Sequence, residues 1–154
     1  MEIIQKINSI QEVQDAIVNK LKENVFYSRA SIPVFSENSA QIEYLIKNAI
    51  SKLGVCCVVQ TPTLDFYGKD KDGHPVWQIP EFTIVISEIP TTNRSRAGAS
   101  TALDAALIAA ETVNELGSEI ALNSINQLEN NGVISVFVSF KSSILFGYTR
   151  NDLD

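Results

Sequence analysis

Between Val76 and Leu116 the chain runs VWQIPEFTIVISEIP, TTNRSRAGAS and TALDAALIAAETVNEL: a long extended segment, a polar connector and an alanine-rich helix. A run so rich in β-branched and aromatic residues belongs in a sheet, and the small residues after Ser100 allow a helix to approach that sheet closely. Pro80 divides the strand. Before it the apolar side carries Trp77 and Ile79; after it Phe82, Ile84 and Ile86 take over on the opposite parity. The strand is therefore expected to have an inner half inside the core and an outer half reaching beyond it.

The partner arm is Val55 to Tyr67, joined to Val76–Ile89 through GKDKDGH, whose glycines and aspartates suit a turn. It carries its own proline, Pro62, so the outer half of the hairpin is expected to be an edge, bulged or splayed ribbon. A second hairpin closes the chain. Ile134, Val136, Val138 and Phe140 alternate with Ser135, Ser139 and Lys141, and Asn130-Asn131-Gly132 is a hairpin turn signal. The preceding stretch, Ser118 to Leu128, fits a helix through Ala121, Ile125 and Leu128 or a strand through Ile120 and Leu122; the turn favours the strand.

Ser9 and Glu12 form a capping box ahead of a helix with Ile10, Val13, Ile17 and Leu21 on one face, ending near Asn24. Val25 to Phe35 is irregular or a short extended piece, since Pro33 cannot donate to a ladder. Asn38 or Ser39 then caps a helix whose stripe is Ile42, Leu45, Ile46, Ala49, Ile50 and Leu53, stopped by Gly54. The third helix spans about Ser100 to Leu116 with Leu103, Ala106, Leu107, Ala110 and Val113 inward, and Gly117 ends it. The order helix, helix, hairpin, helix, hairpin predicts one α+β domain over 1–154: a mainly antiparallel sheet of two hairpins with helices on one face. An arm at 64–79 is expected to protrude from it, and 149–154 to form a frayed tail.

The 154 residues suffice for one core without staples. A net charge of −6 argues against gripping nucleic acid, which needs a basic face. Cys56 and Cys57 are neighbours, point to opposite faces of a strand, and suit small buried hydrophobes in a reducing compartment. The amino end lacks the pattern of a secretory signal, and no run approaches the ~18 apolar residues of a membrane helix. A cytoplasmic protein with no membrane partner is expected.

The search for chemistry finds little. His74 stands alone as an imidazole, short of a zinc set. Asp70-Lys71-Asp72-Gly73 resembles part of a calcium loop, but the register places Gly68 and Ile79 where ligands belong, so neither metal nor cofactor is expected. There is no nucleophile elbow, and Glu81 with Glu88 cannot be assigned as acid and base. The stretch Arg94 to Thr101, with two arginines before a helix start, offers an anion site in principle, against the alternative of an exposed polar loop, Asn93, Arg94 and Arg96, leading to a capped helix. On the hairpin arm Phe66, Tyr67, Trp77 and Ile79 are candidate anchors for another protein surface, with simple burial in the core the alternative reading.

From the second helix onward, the segment order with FTIVISEIPTTNR, a connector, ASTALDAALIAAETV and a closing hairpin ending in VISVFVSF resembles the small tail-completion and tail-terminator proteins of tailed bacteriophages and prophages. The likeness covers about two thirds of the chain and lies in topology; Glu88, Pro90, Asn93 and Arg94 match the polar segment after the long strand. It implies a non-enzymatic structural subunit in the bacterial host cytoplasm and then the virion tail, forming a ring, commonly a hexamer, with copies of itself and contacting other tail or neck proteins. Two other classes stay open: a monomeric adaptor, and an anion- or nucleotide-binding domain using Arg94 to Thr101.

Overall fold

A computed structural model describes residues 10–117 and 119–147. The Ser9 cap and the 149–154 tail lie outside them. The elements are α1 (Ile10–Glu23), α2 (Val25–Arg29), β1 (Val34–Ser36), α3 (Ile42–Leu53), β2 (Val55–Val59), β3 (Asp65–Lys69), β4 (Pro75–Glu88), α4 (Pro90–Asn93), α5 (Ala102–Asn114), β5 (Ile120–Asn130) and β6 (Val133–Gly147). The sheet order is β1-β2-β4-β6-β5, with β3 also paired to β4. The expected class, helices with a mainly antiparallel sheet, holds in outline, with two corrections.

The sheet is mixed. β1 pairs β2 in parallel, Val34 opposite Cys57, while every other pairing is antiparallel. A short extended piece before Phe35 is one of the two sequence readings; the parallel pairing is the new feature, and it begins at Pro33, whose carbonyl accepts from Cys57 N–H at 2.9 Å. Helices also lie on both faces, not one. α1, α2 and α5 cover the face bearing Val55, Cys57, Val59, Ile84, Ile86, Val136 and Val138. α3 packs on the other face, over Cys56 and Val58. Two neighbouring cysteines thus serve two cores, as strand alternation requires. Of the α3 stripe only Ala49 is buried; Ile42, Leu45, Ile46, Ile50 and Leu53 remain half-buried, because the helix covers a sheet margin rather than its centre.

The first hairpin is not two continuous arms. β2 borders the inner half of β4, Val55 opposite Glu88, and the chain then leaves the sheet through Pro62 and returns as β3 against the outer half, Phe66 opposite Trp77. At Pro80 the β4–β6 register shifts between Ile79 and Glu81. Ile79 and Phe82 are consequently both fully buried in the same core. The parity change seen in the sequence marks this irregularity, not an exit from the core.

Two short helices were not anticipated. Asn24, expected to end α1, accepts Phe26 N–H at 2.8 Å and so starts α2, which buries Tyr27 with its hydroxyl donating to the Ala105 carbonyl at 2.7 Å. Pro90 occupies the first turn of α4. Asn38 and Ser39 do not cap α3, which starts after Gln41 in a left-handed conformation (φ 61°). Asn38 instead donates to the buried Gln14 side chain at 2.8 Å and accepts from Ser36.

α5 faces the sheet through Ala102, Ala105, Ala106, Ala109, Ala110 and Val113, while Leu103 and Leu107 point to solvent. The expected inward leucines are displaced by the alanine face, which lets the helix sit close to β4, β5 and β6. The stretch at 120–130 is strand, joined to β6 by Asn131 (φ 53°) and Gly132 (φ 79°), the two left-handed residues of a type I′ turn. No helix among the described residues is long and apolar enough to cross a membrane.

Candidate functional site

The outer half of β4 is not a free hairpin arm. β3 flanks it on one side and the end of β6 on the other, so a three-stranded ribbon continues the sheet past the inner half. Cross-strand register aligns Phe66, Trp77 and Phe146 in one row on the face that α1, α2 and α5 cover, adjacent to Ile79 and Ile144. Phe66 and Trp77 meet edge to face, ring centroids 5.7 Å apart at 79°, a favourable aromatic geometry.

Exposure grades along this ribbon. Ile79 is 0% exposed and Trp77 half-buried, whereas Phe66 and Tyr67 are 58% and 61% exposed. Of the four anchors expected from sequence, Ile79 is thus a core residue that no partner can touch. Tyr67 sits at the register shift between Phe66 and Gly68. The ribbon therefore offers exposed aromatics on a base fixed to the main core by Ile79, Ile144, Phe146 and Leu64.

The connector after β4 departs furthest from expectation. Glu88, at the end of the inward parity Ile84, Ile86, Glu88, is fully buried. Arg94 donates to it through Nε at 3.0 Å and Nη2 at 3.1 Å, and Asn93 through Nδ2 at 2.6 Å. The Ala102 N–H adds a bond of 3.1 Å to Oε1. Burial by itself would raise this carboxyl; the bonds from Arg94, Asn93 and Ala102, with the Arg94 charge, hold it below its ordinary value.

Asn93 is likewise fully buried, and half-buried Arg96 donates to the carbonyls of Leu53 (3.0 Å) and Ala30 (3.3 Å) and to Asn93 Oδ1 (2.6 Å). A cation thereby sits on the C-terminal end of α3, where the helix dipole favours it. Of the three residues expected on an exposed polar loop, Asn93 is buried and Arg96 half-buried in a packed hub, while Arg94 is exposed, as are Ser95, Ala97 and Gly98. The anion that the start of α5 attracts is the chain's own Glu88, and Thr101 takes the Asp104 N–H at 3.1 Å. A strand-end glutamate on core parity, followed closely by Asn and Arg, was the available signal for this hub.

At the β3–β4 turn Asp70, Asp72 and His74 place one ligand atom each within 4.8 Å of one another. They lie at a solvent-facing tip, where Asp70 Oδ1 accepts the N–H groups of Asp72 (2.9 Å) and His74 (3.0 Å) and so shapes the turn.

Glu81 is exposed opposite Lys141, remote along β4 from buried Glu88, so the two carboxylates do not meet. Burial pushes the Cys56 thiol up to about 11 and raises Cys57 further. A groove of about 410 Å³ between α1 and the end of α5 is lined by Ala16, Asn19, Lys20, Glu23, Glu115 and Leu116, with Lys20 and Glu115 paired at 3.7 Å. It converges no nucleophile on a base. The chain matches no protein-family model and no curated protein sequence.

Proposed function

We propose that this protein is a non-enzymatic structural subunit of a phage or prophage tail, assembling with copies of itself into a ring of the tail-terminator or tail-completion kind. One observation carries the self-association: exposed Phe66 and Tyr67 stand on a ribbon whose base, Ile79 and Ile144, is built into the core. Aromatics displayed on a rigid support lose little entropy on docking and are favoured anchors of protein interfaces. The tail role comes from the topological resemblance, which the mixed helix and sheet body accommodates. The anion-binding alternative is set aside, since Arg94, Arg96 and the Ala102 N–H are engaged within the chain.

The test is the mass in solution, by light scattering, of the natural protein and of a Phe66→Ala/Tyr67→Ala variant. A multimer reduced to monomer in the variant supports the reading. A natural protein that stays monomeric removes it.

A further inference from the structure

β5 is the last strand of the sheet: it pairs with β6 from Ile120 to Asn130, and no strand pairs with its other side among the described residues. No turn or loop hydrogen bond among those residues reaches the backbone of 121–130 either. Half of its N–H and C=O groups therefore point outward without a backbone partner among the described residues. Such an edge is a ready template for another strand, and proteins usually guard it with lysine, proline, a covering helix or a short length. β5 is 11 residues long, carries one charge, Glu129, and has neither lysine nor proline. Its one irregularity lies between Leu122 and Ser124, leaving the rest regular, and Leu122 and Leu128 are exposed on it.

We propose that β5 is the receiving edge of the assembly, taking β3 of a second copy of this chain so that the sheet runs on from one subunit into the next. The inference rests on the self-assembly reading above and names the surface that meets the Phe66–Tyr67 ribbon. Three observations select β3 as the occupant. Besides β5, the strands unpaired along a whole side among the described residues are β1 and β3, and β1 has three residues. β3 bears the exposed Phe66 and Tyr67. Polarity also fits, because β3 is antiparallel to β4, β4 to β6 and β6 to β5, so β3 and β5 run in opposite directions.

A neighbour added edge to edge with its sheet faces kept in the same sense pairs β3 with β5 antiparallel, the slightly more stable arrangement. Phe66, aligned with Trp77, and Leu122, aligned with Phe140, then lie on the same face of the continued sheet, the one that α1, α2 and α5 cover. The contact uses two different edges, so each added copy leaves one edge of each kind, as a ring requires. Pairing of β5 with β5 about a two-fold axis would stop at a dimer and leave Phe66 and Tyr67 uncovered.

The test blocks each edge separately, with Leu122→Lys/Leu128→Lys on β5 and Phe66→Lys/Tyr67→Lys on β3. All four side chains are exposed, so folding should survive, as circular dichroism checks; Leu128→Lys alone serves if the double change perturbs the fold. Each variant alone should be monomeric by light scattering. An equimolar mixture should form a species of two subunits and nothing larger, because one variant keeps a working β3 and the other a working β5. In that mixture, amide exchange within 65–69 and 121–130 should slow roughly tenfold or more, as strand pairing protects outward N–H groups. If the β3-blocked variant dimerises by itself, β5 pairs with its own kind and the proposal is overturned. If the β5-blocked variant assembles like the natural protein, the proposal fails while ring formation stands. A natural protein that is monomeric at every concentration removes both.

Discussion

The backbone N–H of Ala102 donates to Oε1 of Glu88 at 3.1 Å, seating a buried carboxylate on the first turn of α5. That bond ties the end of the central strand to the helix that covers it, and Arg94 and Asn93 close the arrangement from the intervening turn. The ribbon on the outer half of β4 therefore continues a strand whose inner end is anchored.

Removing that carboxylate leaves buried donors without an acceptor. Glu88→Ala should destabilise the protein by about 3 kcal/mol, and Glu88→Gln by roughly half of that, since an amide oxygen can still accept. Urea unfolding at neutral pH measures both.

The same group sets an acid dependence. Its folded carboxyl lies below the unfolded value of about 4.3, so its contribution is complete above that value and is lost as pH falls through the folded one. The stability gap between the natural protein and Glu88→Gln should be constant from pH 7 to about pH 5 and narrow at lower pH. Urea midpoints taken across that range test the sign; a gap that widens on acidification contradicts it.

Gly54 is required for two reasons at once. Its φ is +76°, and an added Cβ would lie 2.6 Å from the Asn93 nitrogen and 2.8 Å from Thr92 Cβ. Gly132, at φ +79°, has nothing within 4 Å of such an atom. Gly132→Ala should therefore cost about 1 kcal/mol from backbone strain alone, and Gly54→Ala clearly more, about 3 kcal/mol, since backbone must move. Thermal unfolding of the pair isolates the steric part.

Cys56 and Cys57 are fully buried and their thiols are raised by burial, Cys56 up to about 11. Neither should react with a thiol-specific disulfide reagent at pH 8 in the folded protein, and both should react once it is unfolded in urea. Rapid labelling in the native state would show that the strand opens.

Much of this fold was legible because its signals are local. The alternation through Val136, Val138 and Phe140, the Asn131-Gly132 turn and the stop at Gly54 each follow from a few adjacent residues. What escaped depends on partners distant in sequence. Periodicity made Leu103 and Leu107 as eligible for the core as the alanines beside them, and only the approach of α5 to the sheet decides for the alanines. The α3 stripe looked like a core face but meets a sheet margin. At the site, the aromatics on β3 were visible, whereas burial of Ile79 depends on a register shift against β6. The connector's charges suggested an exposed loop because Arg96's acceptors, Leu53 and Ala30, lie far back in the chain.

The central claim is that the aromatic ribbon joins one copy of this chain to another, and the mass of the protein in solution tests it most directly. Light scattering across a concentration series should give a multiple of the 16.9 kDa chain for the natural protein and 16.9 kDa for Phe66→Ala/Tyr67→Ala. A natural protein at 16.9 kDa throughout, or a variant whose mass equals that of the natural multimer, would contradict it.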